Sequence, residues 1–300
     1  MSEEYKKLIE LAFSKISVAE LKAKLTELEN VLPKLPEEEV YDELKKILVV
    51  DINGIELSCF KGESRTYKKG GIFYRARDLD PKTEALKLTD FWEPPQDKIK
   101  YGRLNQPKQQ LLYISPGEIM TPMKEAGIKE NNFGLMVRYE AIEPINVMGI
   151  GFSDDLLGNF PEDTNNKINL ITNFLKTMFL QNNSLSYLIS SVIAQKIYDF
   201  DNFDGWVYPS VANQNGHNLC LKLPAKSKLK IHSAFIFELI NGEPRPYYSI
   251  LVDEKVYLYN DWKEKNSKAQ QILDDMFSDN GQLQENEVLS EISYQINFLR

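Results

Sequence analysis

Apolar positions in the first 48 residues recur at helical spacing. Leu8, Leu11 and Ala12 mark one stripe, and Leu21, Leu25, Leu28 and Leu32 mark another, which predicts amphipathic helices. Ser17 with Glu20 three residues on supplies a capping box for the second helix. Pro33 and Pro36 break the pattern, and Glu37–Glu39 then suit the positive start of a third helix. From residue 49 the period shortens. Val49-Val50-Asp51-Ile52 and Ile55-Glu56-Leu57 flank Asn53-Gly54, a hairpin signal. Short strands are expected at 72–77, 111–115, 134–140 and 144–150. Two helices follow at 164–182 and 184–199, the first capped by Asp163 or Thr164. Strands resume at 205–208, 218–223, 229–239 and 247–259, and a helical segment at 262–277 leads through an acidic loop to a terminal helix.

This order divides the chain into a helical prefix (1–48), a central α+β domain (49–260, core 70–225) and a C-terminal helical extension (261–300). The prefix reads as helices packed on the domain behind it, with a partner-binding or autoinhibitory segment as the sharper alternative. Residues 81–110 are rich in Pro, Lys, Gln and Asp and form a long ordered loop, anchored by Trp92 or closing as a lid over a pocket. Strands interrupted by helices without regular βαβ alternation favour a split, mostly antiparallel sheet over a doubly wound one. There is no glycine-rich dinucleotide or phosphate loop of the usual kinds.

Charge and chemistry narrow the function. A net charge of -8 argues against non-specific binding to nucleic acid or to an anionic membrane, but it leaves room for a local basic pocket. Cys59 and Cys220 are too few for a disulfide framework, and His217 and His232 are too few for a histidine-based metal site. The acidic start lacks a signal-peptide pattern, and no apolar run is long enough to span a bilayer. The expectation is a cytoplasmic protein.

Three segments place polar or aromatic groups at the ends of apolar runs: Ile72-Phe73-Tyr74-Arg75-Ala76-Arg77, Tyr101-Gly102-Arg103-Leu104-Asn105 leading into Leu111-Leu112-Tyr113-Ile114-Ser115, and Phe203-Asp204-Gly205-Trp206-Val207-Tyr208-Pro209-Ser210. Each residue has an ordinary reading. Arg75 and Arg77 alternate on a strand and could form surface ion pairs. Arg103 could bind loop carbonyls, Tyr113 could be a core aromatic, and Glu125 could be a solvated helix residue, with Glu118 as the rival carboxylate. His217 reads as a solvent-exposed turn residue.

Taken together and in order, the segments resemble the RES domain family over roughly residues 70–225. Tyr74-Arg75 resembles its Tyr-Arg pair, and Gly102-Arg103-Leu104-Asn105 its Gly-Arg-x-Asn turn. Tyr113 is similar to the aromatic of the next strand, and Thr121-Pro122-Met123-Lys124-Glu125 to a helical Thr-Ala-x-x-Glu. The Asp204–Ser210 strand, with Asn218 after it, is similar to the family's late strand. Pro122 requires that helix to begin near Thr121.

The resemblance implies an ADP-ribosyltransferase-like fold and cleavage of NAD between nicotinamide and ribose, by phosphorolysis or hydrolysis. Arg75, Glu125 and Ser190 would be catalytic, with Ser186 and Ser191 as competitors for the serine. Tyr74, Arg103, Asn105, Tyr113 and Ser210 would bind the dinucleotide. NAD would be substrate rather than cofactor, inorganic phosphate a candidate co-substrate, and no metal is implied. The implied biology is the toxin of a toxin–antitoxin pair, held by a helix-turn-helix antitoxin, or a related growth-arrest or defence effector, with no membrane or direct nucleic-acid partner. Two further readings stay open: transfer of ADP-ribose to a macromolecule, and a degenerate module that binds a nucleotide without turning it over.

Overall fold

The computed structural model describes residues 3–250 except 53, 59–61, 81–85, 87, 153–159, 182–183 and 214. The expected C-terminal extension and the far end of the last expected strand lie outside them.

The prefix forms α1 (Glu3–Ser14), α2 (Val18–Val31), a 3-10 turn (Leu32–Lys34) and α3 (Glu37–Leu48). The capping box is present: Ser17 Oγ accepts from Glu20 N at 3.2 Å, and Ser17 N donates to Glu20 Oε2 at 2.8 Å. β1 (Val49–Ile52) pairs antiparallel with β2 (Ile55–Ser58), and Gly54 between them takes φ +83°, as a tight hairpin demands; Asn53 of the expected turn lies outside the described residues.

The remaining strands are β3 (Glu63–Tyr67), β4 (Ile72–Leu79), β5 (Leu111–Pro116), β6 (Phe133–Ala141), β7 (Ile145–Gly149), β8 (Gly205–Pro209), β9 (His217–Lys222), β10 (Leu229–Ile240) and β11 (Glu243–Ile250). Among the described residues they form one sheet in the order β11-β10-β6-β4-β5-β9-β8-β7-β3. Every pairing is antiparallel except β7 with β8. That parallel pair is joined by a crossover holding α5 (Glu162–Leu180), α6 (Ser184–Val192) and a π turn (Ile193–Ile197). The protein is thus mixed α+β, with a large, mostly antiparallel sheet and flanking helices.

Several elements differ from the expectation. β3 is not expected from the pattern, because Glu63-Ser64-Arg65-Thr66-Tyr67 carries no apolar alternation; as an edge strand it pairs only with β7, and a charged composition suits such an edge. β11 starts four residues earlier than the pattern suggests. The single helix expected at 184–199 changes to a π turn at Ile193.

The sheet is pinched in the middle. β4 pairs with β6 along its whole length, yet with β5 only through Phe73↔Pro116 and Tyr74↔Ser115. Register puts Tyr74, Ser115, Asn218 and Tyr208 on one face. Two apolar clusters cover that face. On one side Trp206, Tyr208 and Cys220 pack under α1–α3, α5 and α6; on the other Tyr74, Met136 and Phe235 pack under Met123 of α4 (Met120–Glu125). The opposite face buries Leu112, Ile114, Val137, Tyr139 and Leu219.

The prefix belongs to the first of these clusters. Leu21, Leu25, Leu28, Leu32, Val40, Leu44 and Leu48 share it with α5 and α6. Lys167, almost fully buried, donates to Phe13 O at 2.9 Å and ties α5 to α1. The prefix is part of the domain's core. Leu44→Ala is therefore expected to cost about 2–5 kcal/mol and to lower the urea midpoint of one cooperative transition, measured by far-UV circular dichroism and tryptophan fluorescence together. An early, separate transition for the prefix would contradict a shared core.

Candidate active site

Where β4 leaves β5, the sheet opens into a cavity of about 620 Å³, a normal size for a small-molecule site. Arg75 and Ala76 of β4 line one side, and Tyr113, Ile114 and Ser115 of β5 the other. Lys124 and Glu125 end α4 above it, Tyr187 of α6 faces them, and Tyr208 and Asn218 form the floor. Pro94, Tyr101, Gly102, Arg103 and Asn105 come from the long loop. Tyr101 and Val211, both exposed, stand at the mouth.

Among the described residues, the lining carries three cations, Arg75, Arg103 and Lys124, against a single carboxylate, Glu125. In a chain of net charge -8 this is a concentrated positive site. Arg75 is half-buried and faces Tyr139, and its Nη1 is buried without a hydrogen-bond partner. Burial pulls the guanidinium below its usual pKa, and Tyr139 and Glu93 oppose that pull. Arg77, on the same strand face, goes instead to Asp90 at 3.4 Å; its ion-pair reading holds.

Arg103 is fixed from behind. Its Nη1 donates to the carbonyls of Phe179 and, at 3.0 Å, of Gln181, at the C-terminal end of α5. A cation suits the negative pole of that helix. The guanidinium carbon also lies 5.6 Å from the Tyr187 ring and 5.8 Å from the Phe179 ring. The carbonyl-binding reading of Arg103 is therefore true of one of its nitrogens, while the residue still lines the cavity.

The Gly102–Asn105 turn is built around Asn105. Its Nδ2 donates to Lys100 O at 2.8 Å and to Gln106 O at 3.1 Å, and its Oδ1 accepts the Tyr113 hydroxyl at 2.8 Å. A Cβ on Gly102 would meet that Oδ1, so a larger residue there would displace the Asn105 side chain and its hydrogen bonds. Burial pushes the Tyr113 hydroxyl well above its ordinary pKa, as it does that of Tyr208. Both phenols stay protonated and neutral.

Glu125 ends α4 with Oε1 held by two neutral donors, Ser210 Oγ at 2.5 Å and Asn218 Nδ2 at 2.7 Å. Asn218 Oδ1 in turn accepts from Ser115 Oγ at 3.0 Å. Glu118 serves the fold instead. It accepts from Met120 N at 2.7 Å and Thr121 N at 2.9 Å and so caps α4, outside the cavity. That helix starts at Met120, which leaves Pro122 in its first turn as the sequence requires.

Of the expected site residues, Arg75, Arg103, Asn105, Tyr113 and Glu125 share the cavity. Ser210 stands behind Glu125. Two assignments need correction. Tyr74 is fully buried with Met123, Met136 and Phe235 on the sheet face opposite its neighbour Arg75, and it does not reach the cavity. Ser190 is fully buried, with its hydroxyl on Arg103 O at 2.8 Å, so it supports the loop instead of facing a ligand. Its competitors Ser186 and Ser191 are also buried and bond the carbonyls of Gln181 and Leu188. Trp92 is the loop's anchor, 5.3 Å from the Tyr139 ring and under Lys226. His217, half-buried beside the Phe152 ring at 5.3 Å, is no solvent-exposed turn residue and lies outside the cavity.

The sequence pattern does not point to Lys124, Tyr101 or Tyr187 as lining residues. Nor does it point to Asn213, whose backbone N–H donates to Ser210 Oγ at 2.9 Å and whose Nδ2 donates to Thr121 Oγ1 at 2.8 Å. Lys124 sits beside Glu125 inside the Thr121–Glu125 motif and could have been found there; Asn213 lies in a loop with no pattern. Among the described residues, no group of three His, Cys, Asp or Glu could hold a metal ion, and no helix is long and apolar enough to cross a membrane. No family model, no curated protein and no solved structure matches the chain.

The two arginines should separate in stability measurements. Arg75→Met removes a desolvated charge whose Nη1 has no hydrogen bond, so the unfolding free energy is expected to hold or rise. Arg103→Met strands two carbonyls and should cost about 1–3 kcal/mol. Equal losses in urea denaturation would mean that Arg75 is a structural ion.

Proposed function

We propose that this protein consumes NAD by breaking the bond between nicotinamide and ribose. The observation that carries the reading is the cavity's charge pattern: three cations and one oriented carboxylate among tyrosine faces. A dinucleotide offers the matching groups, namely a diphosphate for the cations, a flat pyridinium ring for an aromatic wall, and an anomeric carbon that becomes positive as its bond breaks.

The chemistry follows from those groups. The bonding pair of the C1–N bond leaves with nicotinamide, which needs no protonation because its ring nitrogen is already cationic. Positive charge develops at C1 of the ribose, as in other glycosidic cleavages. Glu125 stabilises it electrostatically, and the Ser210 and Asn218 donors spare the carboxylate any reorientation at that moment. Arg75 brings an unpartnered nitrogen to a phosphate oxygen. Arg103 and Lys124 add charge around it, and Tyr113, locked through its hydroxyl, offers a ring face. An oxygen of water or of inorganic phosphate then bonds to C1. Water yields ADP-ribose and a proton; phosphate yields ADP-ribose 1″-phosphate.

The resemblance to the RES family supports this reading, as does the pinch between β4 and β5, which suits an ADP-ribosyltransferase-like split sheet. On the same resemblance the protein acts in the cytoplasm as the toxin of a toxin–antitoxin pair, under a helix-turn-helix antitoxin, or as a related growth-arrest or defence effector.

Purified protein given NAD, with and without phosphate, is expected to release nicotinamide and one of the two ADP-ribose products, resolved by mass. Glu125→Gln should slow release by about 10²–10³-fold with an unchanged circular dichroism spectrum. Wild-type rates in that variant would remove Glu125 from the mechanism. Label retained on a macromolecule would favour transfer instead, and tight NAD binding without nicotinamide release would favour a binding module.

A further inference from the structure

The loop that supplies Tyr101, Gly102, Arg103 and Asn105 to the cavity is held from several directions. Ser190 of α6 binds Arg103 O at 2.8 Å, Gln195 of the π turn donates to Leu104 O at 2.6 Å, and Tyr113 of β5 holds Asn105. These partners all belong to the central domain. One further contact comes from the prefix. Glu37, the first residue of α3, accepts the Tyr101 hydroxyl on Oε2 at 2.7 Å and the Gln106 side-chain amide on Oε1.

The position of Glu37 is well defined. α3 is pinned by Val40, Leu44 and Leu48, all buried in the shared core. Its first residue therefore stands on a rigid base. Tyr101, by contrast, is exposed at the cavity mouth and has little packing of its own to fix it. A two-pronged carboxylate grips both ends of the Tyr101–Gln106 turn, and carboxylate hydrogen bonds are the stronger kind. The Tyr101 hydroxyl is raised above its ordinary pKa, first through this bond, so the phenol remains the donor.

We infer that Glu37 is a positioning residue for the ligand site: through Tyr101 and Gln106 it sets the rim of the cavity, and it makes ligand affinity depend on the helical prefix. For NAD as the ligand the inference rests on the proposed function; the latch itself does not. Among the described residues the prefix supplies no cavity lining, so its influence runs through this contact and through the core beneath α5 and α6.

The full-length chain tests this with Glu37→Ala, Tyr101→Phe and the double variant. Hydrogen exchange reads the latch without any ligand. In Glu37→Ala the amides of Gly102, Gln106, Lys108 and Gln109, each hydrogen-bonded within the turn, should exchange faster, while α2 and α5 keep wild-type protection. With NAD, KM should rise about tenfold, the scale of one charge-assisted hydrogen bond, at unchanged kcat. Tyr101→Phe should add little in the Glu37→Ala background. Unchanged exchange in the turn overturns the latch, as does a fall in kcat with KM constant or fully additive effects of the two substitutions. Faster exchange confined to the turn in a protein that neither binds nor cleaves NAD sustains the latch and removes the NAD reading.

Discussion

The separation of β4 from β5 after two residue pairs is the constraint from which the site follows. Both strands remain fully engaged on their outer sides, β4 with β6 over eight residues and β5 with β9 over four. Each half of the sheet is therefore a stable ladder, and side chains from both halves line the cavity between them. A strand alternates its faces, so the opening admits residues from both. Arg75 comes from the face of Tyr139, and Tyr113, Ser115, Asn218 and Tyr208 from the other. The two apolar clusters on that second face, one under α5 and α6 and one under α4, form the walls on either side of the opening.

Charge is handled differently at each position in this opening. Arg103 meets helix carbonyls and two aromatic rings, so its charge is useful to the fold even without a ligand. Arg75 keeps a buried nitrogen unbonded, which is costly in a protein interior. Tyr139 and Glu93 offset only part of the desolvation of that guanidinium. Glu125 has one oxygen fixed by two donors, whereas Glu118, seven residues earlier, has both oxygens occupied by the start of α4. Two carboxylates close in sequence thus divide into a structural cap and a group that the cavity can use.

Much of this was legible in the sequence because local rules and tertiary packing agree. The prefix helices, the Ser17 cap, the β1–β2 hairpin and the apolar strands β4–β10 all follow periodicity or turn chemistry. Arg75 and Tyr113 lie within β4 and β5, Glu125 ends α4, and Arg103 and Asn105 lie in the loop before β5; segments taken in order could locate them. The failures have physical causes. β3 is an edge strand whose charged residues obscure its period. Tyr74 and Arg75 look like a functional pair in sequence, but adjacent strand residues face opposite ways, so one fills a core while the other lines the cavity. Ser190 lies on a helix whose polar groups bond backbone carbonyls, and sequence does not distinguish a hydroxyl facing a ligand from one supporting a loop. Asp204-Gly205 likewise proves architectural. The Asp204 carboxylate accepts from Asn146 N and Lys228, both at 2.8 Å, and a Cβ on Gly205 would collide with Cys220 O.

The prefix shares the hydrophobic core of the residues behind it. The change of pattern at residue 49 is real, since helices give way to strands. A change of secondary structure is not a boundary between cores, however. α2 and α3 bury their stripes against α5 and α6, and those two helices carry the carbonyls, the serine and the tyrosine that position Arg103. The layers stack in one direction: prefix, crossover helices, loop, cavity. α3 reaches the loop through α6 and through Glu37, and α2 reaches it through α5, whose last carbonyls hold Arg103. The helices that hold no chemistry of their own are thereby the support on which the positive side of the cavity is built.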